Sequence, residues 1–262
     1  MASPIAAGCA AMIKAQYPFL TALQVGEHLK VTCDDIYSVN GSYIDKLGNG
    51  RVNLFTALSG INSPSVVMTN RTIIDGNDNA FIIGDTLSVT GLFVNYLDTT
   101  GNINVTLTTT STYVNIIDAA TNLGIIMGFG GISDNNADPF SVVILPTAPL
   151  NTVVDFELLI SDGSYSKKEF FNVTINVDYI NIAINDLATS ITSKGLIGFN
   201  DFSTQLEGLG FIYPYTGGGV NMLFEGGVMI GVPGKVSDWL RDPPSSTNND
   251  FGSIVNVRRV AP

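Results

Sequence analysis

Hydrophobic and polar positions divide the chain into a helical beginning and a long β-rich remainder. Residues 1–18 are almost wholly small or apolar on every side, which predicts a helix with Ser3 as its N-cap and Pro4 at its first position. Pro18 predicts its end. A helix without a polar face is typical of one buried in a large protein, and we expect close packing at Gly8.

Two shorter helices are predicted before residue 60. Thr21 and Gln24 form the pattern of a capping box, and the helix that they begin should run to about Cys33. A glycine turn at 48–50 should lead into a third helix, with these apolar residues facing inward: Val52, Phe55 and Leu58. Three helices alone cannot bury an apolar helix, so residues 1–17 should expose apolar surface or borrow a partner, such as the β-region.

From residue 61 the pattern changes to short β-strands separated by turns. Residues 60–64 (Gly-Ile-Asn-Ser-Pro) have the composition of a linker. The predicted strands are 65–68, 72–74, 86–97, 103–108, 113–117, 124–127, 140–145, 153–160 and 169–177. Strands at this spacing with one apolar face predict a β-sandwich over residues 61–178.

Glycine and aromatic residues dominate residues 179–262, which predicts a second all-β unit of short strands joined by glycine turns. No phosphate-binding loop is present, because no lysine follows the glycines. Four aromatic residues either fill a thin core or form a platform for sugars: Phe211, Tyr213, Tyr215 and Trp239. The segment 243–249 is predicted to be loop.

Composition narrows the functional classes. The formal net charge of −11 argues against a nucleic-acid partner, since no run of residues forms a basic stripe. The low charged fraction of 13%, with abundant Asn, Thr, Ser and Gly, is common in secreted β-proteins. After the first helix no apolar run is long enough to span a membrane. Cys9 and Cys33 lack metal-ligand spacing; we expect small buried side chains, with a disulfide between them as the alternative.

Two acidic loops have the oxygen ligands that calcium prefers. The first contains Asp75, Asn77 and Asn79, and the second runs over residues 134–138 (Asp-Asn-Asn-Ala-Asp). Asp and Asn are equally the ordinary residues of turns, and the first loop lacks a late glutamate. Calcium is therefore a weak candidate ligand, and no other cofactor is expected.

Two motifs resemble the end of the catalytic domain of subtilisin-like serine proteases. Met1-Ala2-Ser3-Pro4, with Ala7 and Gly8 in register, is similar to the segment that follows the catalytic serine of that family. The family closes its domain with Gly-x-Gly-x-Val-Asn and an Ala-Leu helix. These residues match that second motif: Gly48, Gly50, Val52, Asn53, Ala57 and Leu58.

The resemblance implies that this chain lacks its own catalytic triad. In the family the nucleophile precedes Met-Ala-Ser-Pro, so it would lie one position before Met1, and the Asp and His would lie further upstream. Ser3 would then cap the helix and not attack a substrate. The single histidine, His28, is expected to be a helix-surface residue instead of a general base.

The sequence thus predicts a multi-domain, mainly β protein. Residues 1–60 would be a helical remnant of an α/β subtilase domain, residues 61–178 an immunoglobulin-like β-sandwich similar to accessory modules of secreted bacterial subtilases, and residues 179–262 a second all-β unit, truncated or not. The function implied is the C-terminal portion of a secreted serine endopeptidase, inactive as given, whose parent cleaves protein or peptide. The alternative is a non-enzymatic extracellular binding or adhesion module with a polysaccharide or protein ligand.

Overall fold

The computed structural model describes residues 2–77, 80–201, 204–240, 250–254 and 256–257. The chain is mainly β, with a few helices at its beginning and several antiparallel sheets after them. The three helices are α1 (Ala2–Gln16), α2 (Ala22–Val31) and α3 (Leu54–Ser59). Two single-turn 3₁₀ helices, Tyr37–Val39 and Gly41–Tyr43, lie between α2 and α3.

The helical region, residues 2–61, has a small core of its own. Its buried members are Ile13, Leu20, Val25 and Ala57. The capping box that begins α2 is confirmed: Thr21 N–H donates to Gln24 Oε1 over 2.8 Å, and Gln24 N–H donates to Thr21 Oγ1 over 3.3 Å. The predicted inward face of α3 is wrong, since Phe55 is 84% exposed and Ala57 packs inward instead.

Helix α1 differs from its prediction at its start and in the packing of Gly8. The helix begins at Ala2, so Ser3 lies inside its first turn and is not the N-cap. Pro4 is tolerated in the same turn, because the first N–H groups of a helix have no intrahelical partner. Gly8 is not closely packed, because a Cβ on it would meet no neighbouring heavy atom within 4 Å. Ile5 is 65% and Met12 50% exposed, which confirms the expectation of exposed apolar surface.

Nine strands follow, and they form two antiparallel sheets. The bounds of these strands are β1 (Val66–Ile74), β2 (Thr86–Asn95), β3 (Asn102–Thr108), β4 (Val114–Asp118), β5 (Ala120–Ile125), β6 (Gly131–Asp134), β7 (Phe140–Ile144), β8 (Thr152–Ser161) and β9 (Ser166–Ile175). One sheet has the order β1-β2-β7-β4, with β6 also paired to β2, and the other has the order β5-β3-β8-β9. Strand β1 joins two predicted strands through an irregularity between Thr69 and Thr72, where Asn70 has φ +47°.

Both sheets contribute to one apolar core. Period-two alternation places one face of strand β2 inward, where Leu87, Val89 and Phe93 are buried. Phe140 from the first sheet and Phe156 from the second belong to the same cluster, so the two sheets face each other across it.

Residues after 178 form smaller sheets with little core. Their strands are β10 (Tyr179–Ile184), β11 (Leu187–Thr192), β12 (Phe211–Tyr213), β13 (Val220–Asn221), β14 (Ile230–Val232) and β15 (Lys235–Ser237). Strands β10 to β13 make one antiparallel sheet in chain order, and β14 pairs with β15. The predicted tail loop 243–249 lies outside the described residues.

Candidate functional site

The segment with the second family-like motif is a tight turn that only glycine can make. Gly50 has φ +110°, and a Cβ there would lie 2.1 Å from the backbone oxygen of Asp34. The close approach is needed because Asp34 and Arg51 form an antiparallel bridge, with N–H to O distances of 2.8 and 3.0 Å. Gly48, at φ +67°, also has a backbone conformation that favours glycine.

The Asp34 carboxylate joins this turn to α3. It accepts Asn53 Nδ2 over 2.7 Å and Arg51 Nη2 over 2.8 Å, and these two hydrogen bonds lower its pKa below the ordinary value. Asn53 in turn caps α3, since its Oδ1 accepts the Thr56 N–H over 3.0 Å. Val52, between them, is half-buried. Hydrogen bonds thus connect the residues of the predicted Gly48-to-Asn53 motif, and no local pattern identifies Asp34 as their partner.

The residues of the first motif do not meet those of the second in one site. Ser3 and Pro4 are exposed in the first turn of α1, and Gly8 is exposed one turn further along. Met1 lies outside the described residues. Helix α1 contacts the other helices near its C-terminal end. Ile13 packs there into the core of the helical region, and the Tyr17 hydroxyl donates to Leu58 O over 3.1 Å.

His28 is a buried structural residue, which corrects its prediction as a helix-surface residue. Only 1% of it is exposed, its Nε2 lies 2.8 Å from Ala57 O, and its ring packs edge-on against Tyr17 at 5.6 Å between centroids. The side chain therefore links α2 to α3. No signal in the local pattern of α2 reveals this role, because the partner lies 29 residues along the chain.

A charged corner connects the helical region to the β-region. Tyr165, Lys167 and Glu169 alternate along one face of the β8–β9 hairpin and bond to three backbone groups of β1. Tyr165 Oη accepts the Val66 N–H over 3.0 Å, Lys167 Nζ donates to Val66 O over 3.1 Å, and Glu169 Oε2 accepts the Met68 N–H over 3.1 Å. Burial raises the pKa of Tyr165, so its hydroxyl stays protonated.

Glu27 of α2 completes this corner. Its carboxylate lies 2.6 Å from Lys30 Nζ and 3.5 Å from Lys167 Nζ, and it accepts the Ser65 hydroxyl over 2.8 Å. Burial alone would raise the pKa of Glu27, but the two ammonium groups and the hydroxyl outweigh burial and lower it. The neighbouring Lys168 bonds to Asp45 of the helical region over 2.9 Å.

A cleft of about 540 Å³ lies beside the corner, between the helical region and the β8–β9 hairpin. Its lining includes Cys33, Tyr37, Asp45 and Phe170. Burial, followed by the charge of Asp34, raises the pKa of the Cys33 thiol, which disfavours the nucleophilic thiolate. Cys9 and Cys33 are both free and partly exposed, so the disulfide alternative is wrong.

Neither predicted calcium loop assembles a ligand set among the described residues. Asp75 Oδ1 accepts the Asn77 N–H over 2.9 Å, as in an ordinary Asx turn, and Asn79 lies outside the described residues. In the second loop, Asn135 is buried and bonds to the backbone of β2, accepting the Gly91 N–H over 2.8 Å and donating to Val89 O over 3.0 Å. The part of the chain that the structure describes contains no group of three or more His, Cys, Asp or Glu side chains arranged to hold a metal.

The four predicted aromatic residues do not behave alike. Tyr213 and Tyr215 are largely exposed, whereas Phe211 and Trp239 are half-buried. Trp239 packs against a lysine: Lys194 Nζ lies 5.6 Å from its ring centroid. The tyrosines are therefore accessible to a ligand, and Trp239 has a local partner.

Comparison with known proteins does not place the chain in a family. No family model matches it, and no curated protein matches it. Among the described residues, no helix is both long and apolar enough to cross a membrane.

Proposed function

We propose that this chain is the C-terminal portion of a secreted subtilisin-like serine endopeptidase. Its helical region would complete the catalytic domain, and the β-regions would be accessory modules, the first an immunoglobulin-like sandwich. The two-sheet arrangement around one core supports that interpretation of residues 61–178.

The observation that carries the proposal is the unpartnered apolar surface of α1. Ile5 and Met12 are exposed, and Gly8 faces open space, although glycine in a helix interior costs about 1 kcal/mol relative to alanine. A small residue at such cost is understandable where another element packs closely against the helix. In a subtilisin-like domain the sheet that precedes this helix would supply that element.

In the proposed mechanism this chain positions groups and does not perform the chemistry. The nucleophile of the parent enzyme would stand at the start of α1, where helix N–H groups favour the developing oxyanion. The Asp34–Arg51–Asn53 hydrogen bonds would hold the closing turn and α3 against α1 and α2.

The test is to determine the codons upstream of Met1 and the N-terminal peptides of the protein from its source by mass spectrometry. We expect an open frame that ends in Gly-Thr-Ser before Met1, and a longer product that a fluorophosphonate probe labels at that serine. The chain of 262 residues alone should not be labelled. A source protein that begins at Met1, or labelling of this chain alone, would contradict the proposal.

The exposed surface of the third region favours a second candidate, a non-enzymatic extracellular binding module. Met222, Phe224, Ile230 and Val232 are all more than half exposed there, and Tyr213 is exposed as well. Exposed apolar side chains of this kind are found at interaction sites.

Affinity electrophoresis in gels that contain polysaccharide tests this candidate with the full chain. Retardation should be lost in Tyr213→Ala and kept in Tyr43→Ala, a matched control whose ring is similarly exposed in the helical region. Equal migration of all three proteins with and without polysaccharide would count against a carbohydrate ligand.

A further inference from the structure

The connection between β5 and β6 presents apolar side chains to solvent. Strand β5 belongs to one sheet and β6 to the other, so this connection crosses from sheet to sheet. We call residues 125–132 the apolar turn. Four of its residues are apolar and at least half exposed: Ile125 (66%), Met127 (66%), Phe129 (50%) and Ile132 (64%). No charged residue occurs anywhere between positions 119 and 133.

The polar backbone of the apolar turn is hydrogen-bonded within the protein. Three consecutive N–H groups donate to the connection between β2 and β3: Gly128 to Thr99 Oγ1 over 3.0 Å, Phe129 to Leu97 O over 2.7 Å and Gly130 to Asn95 O over 2.7 Å. The side chain of Asn95, which is fully buried, donates to Ile126 O over 3.1 Å. Because these groups do not depend on water, they can enter an apolar medium without losing hydrogen bonds.

Phe129 has a backbone conformation that bulky residues rarely adopt. Its φ is +55°, in the left-handed region that glycine adopts freely. A Cβ on Gly131 would lie 2.1 Å from Met127 O, so the turn is also tight. The Phe129 ring contacts that of Phe19 edge-on, 6.0 Å between centroids, and both residues are at least half exposed. Strained residues of this kind cluster at functional sites.

We propose that the apolar turn inserts into the surface of a lipid bilayer and so attaches this chain to membranes. Exposed Ile, Met and Phe side chains gain free energy when they leave water, and aromatic rings are favoured at the lipid interface. The apolar part of a bilayer offers no hydrogen bonds, so it accepts only backbone groups that are already bonded, as those of the apolar turn are. This inference does not depend on the proposed protease function.

The structure favours lipid over a protein partner. A stable protein interface takes about 20–30 residues from each side, whereas the exposed apolar residues here are four in the turn and the neighbouring Phe19. A strand added by another chain would need unpaired N–H groups, and three in the turn are already bonded. The net charge of −11, with Asp98 and Asp134 exposed beside the turn, favours a zwitterionic surface over an anionic one.

Flotation of the full chain with phosphatidylcholine vesicles in a density gradient tests the proposal. We expect the chain to float with the vesicles, and to bind less where phosphatidylserine replaces part of the lipid, because that surface is negative. A chain that does not float at about 10 mM lipid, where a single myristoyl chain is fully bound, overturns the proposal. Stronger binding to the vesicles with phosphatidylserine also contradicts it.

Two variants identify the apolar turn as the part that binds. Phe129→Gly removes the ring and relieves the strained φ, so it should lower lipid binding about three- to tenfold without lowering the melting temperature appreciably. Met127→Ser should lower lipid binding at least about fivefold. Met222→Ser is the matched control, because Met222 is 65% exposed in the third region, and it should leave lipid binding unchanged.

Circular dichroism shows that all three variants are folded before flotation is compared. Equal losses in Met127→Ser and Met222→Ser would show that exposed apolar surface adheres to vesicles in general, and would overturn the proposal. Sedimentation velocity without vesicles tests a second copy of this chain as the alternative partner. A dimer that Met127→Ser dissociates would overturn the proposal as well.

Discussion

Replacing Lys167 with methionine should weaken the contact between the helical region and the β-region. The ammonium group of Lys167 lies 3.5 Å from Glu27 Oε2 and 3.2 Å from Glu169 Oε1, and it donates to Val66 O. Lys167→Met keeps the apolar stem and removes only the charge and its three hydrogens. Two nearby carboxylates would then lose the cation between them.

The expected loss is about 2–4 kcal/mol in the free energy of unfolding. Breaking a buried ion pair from one side costs about 3–5 kcal/mol, and exposed pairs contribute about 0–1 kcal/mol. The side chains of Lys167, Glu27 and Glu169 are only 13%, 11% and 18% exposed, so the site is closer to the buried case. Glu27 keeps Lys30 and Ser65, which reduces the loss.

Lys168→Met on the same strand is the matched control. Lys168 pairs with Asp45 and Glu157, but its side chain is 40% exposed, so its removal should cost less than about 1 kcal/mol. Urea unfolding followed by circular dichroism gives both values, and limited proteolysis shows whether residues 2–61 become more accessible. Equal losses in the two variants would refute the view that burial makes the Lys167 corner the stronger contact.

The Lys167 corner should also make stability depend on pH. The pKa of Glu27 is lowered in the folded protein, so its stabilising contribution is present above the ordinary value of 4.5 and is lost as the pH falls through the folded pKa. Lys167→Met weakens that dependence, because one cause of the lowered pKa is gone. An unchanged slope of unfolding free energy between about pH 5 and pH 3 would contradict this reasoning.

Three further predictions concern separate parts of the molecule. Burial opposes ionisation of Asp162, but its carboxylate accepts backbone N–H groups, including that of Tyr165 over 2.7 Å, and these bonds lower its pKa from 3.8 to about 2. The contribution of Asp162 to stability should therefore be lost as the pH falls from 3.8 to about 2. Asp162→Ala should remove the part of the urea-midpoint change that falls in this pH interval. Phe156→Ala should lower the free energy of unfolding by about 3–5 kcal/mol, because the ring is fully buried. Phe170→Ala, on the neighbouring strand, should lower it by under about 1 kcal/mol. Similar losses of the two variants in thermal or urea unfolding would contradict the assigned core. Met12→Lys should reduce binding of a hydrophobic dye with a stability change within about 0.5 kcal/mol; unchanged dye binding would show that α1 is not the exposed patch.

The parts of the fold that local patterns determine could be predicted from sequence. The capping box of α2 and the alternation along β3 and β9 both depend on residues two to four positions apart, and the structure has them as predicted. Strand β6 was not predicted, because its four residues include glycine, serine and aspartate and it is fixed by pairing with β2.

The contacts that organise the candidate site could not be predicted, because they join residues far apart in sequence. Glu27 is a charged residue of the short helix α2, yet it is buried against Ser65 and Lys167, 38 and 140 residues away. The burial of His28 could not be predicted for the same reason, because its partner, Ala57 O, lies 29 residues away in sequence. Residue preferences predict a helix cap at Ser3 and close packing at Gly8, but the described residues show neither.

The hydrogen bonds from the β8–β9 hairpin to β1 have a consequence for self-association. A strand at the rim of a sheet presents unpaired N–H and C=O groups, which another chain can use to extend the sheet. Here Tyr165, Lys167 and Glu169 already bond to the N–H and C=O of Val66 and to the N–H of Met68, so side chains block that template. Shortening them would leave a strand rim open to a second molecule, and such variants should form intermolecular β-structure at high concentration even where the fold survives.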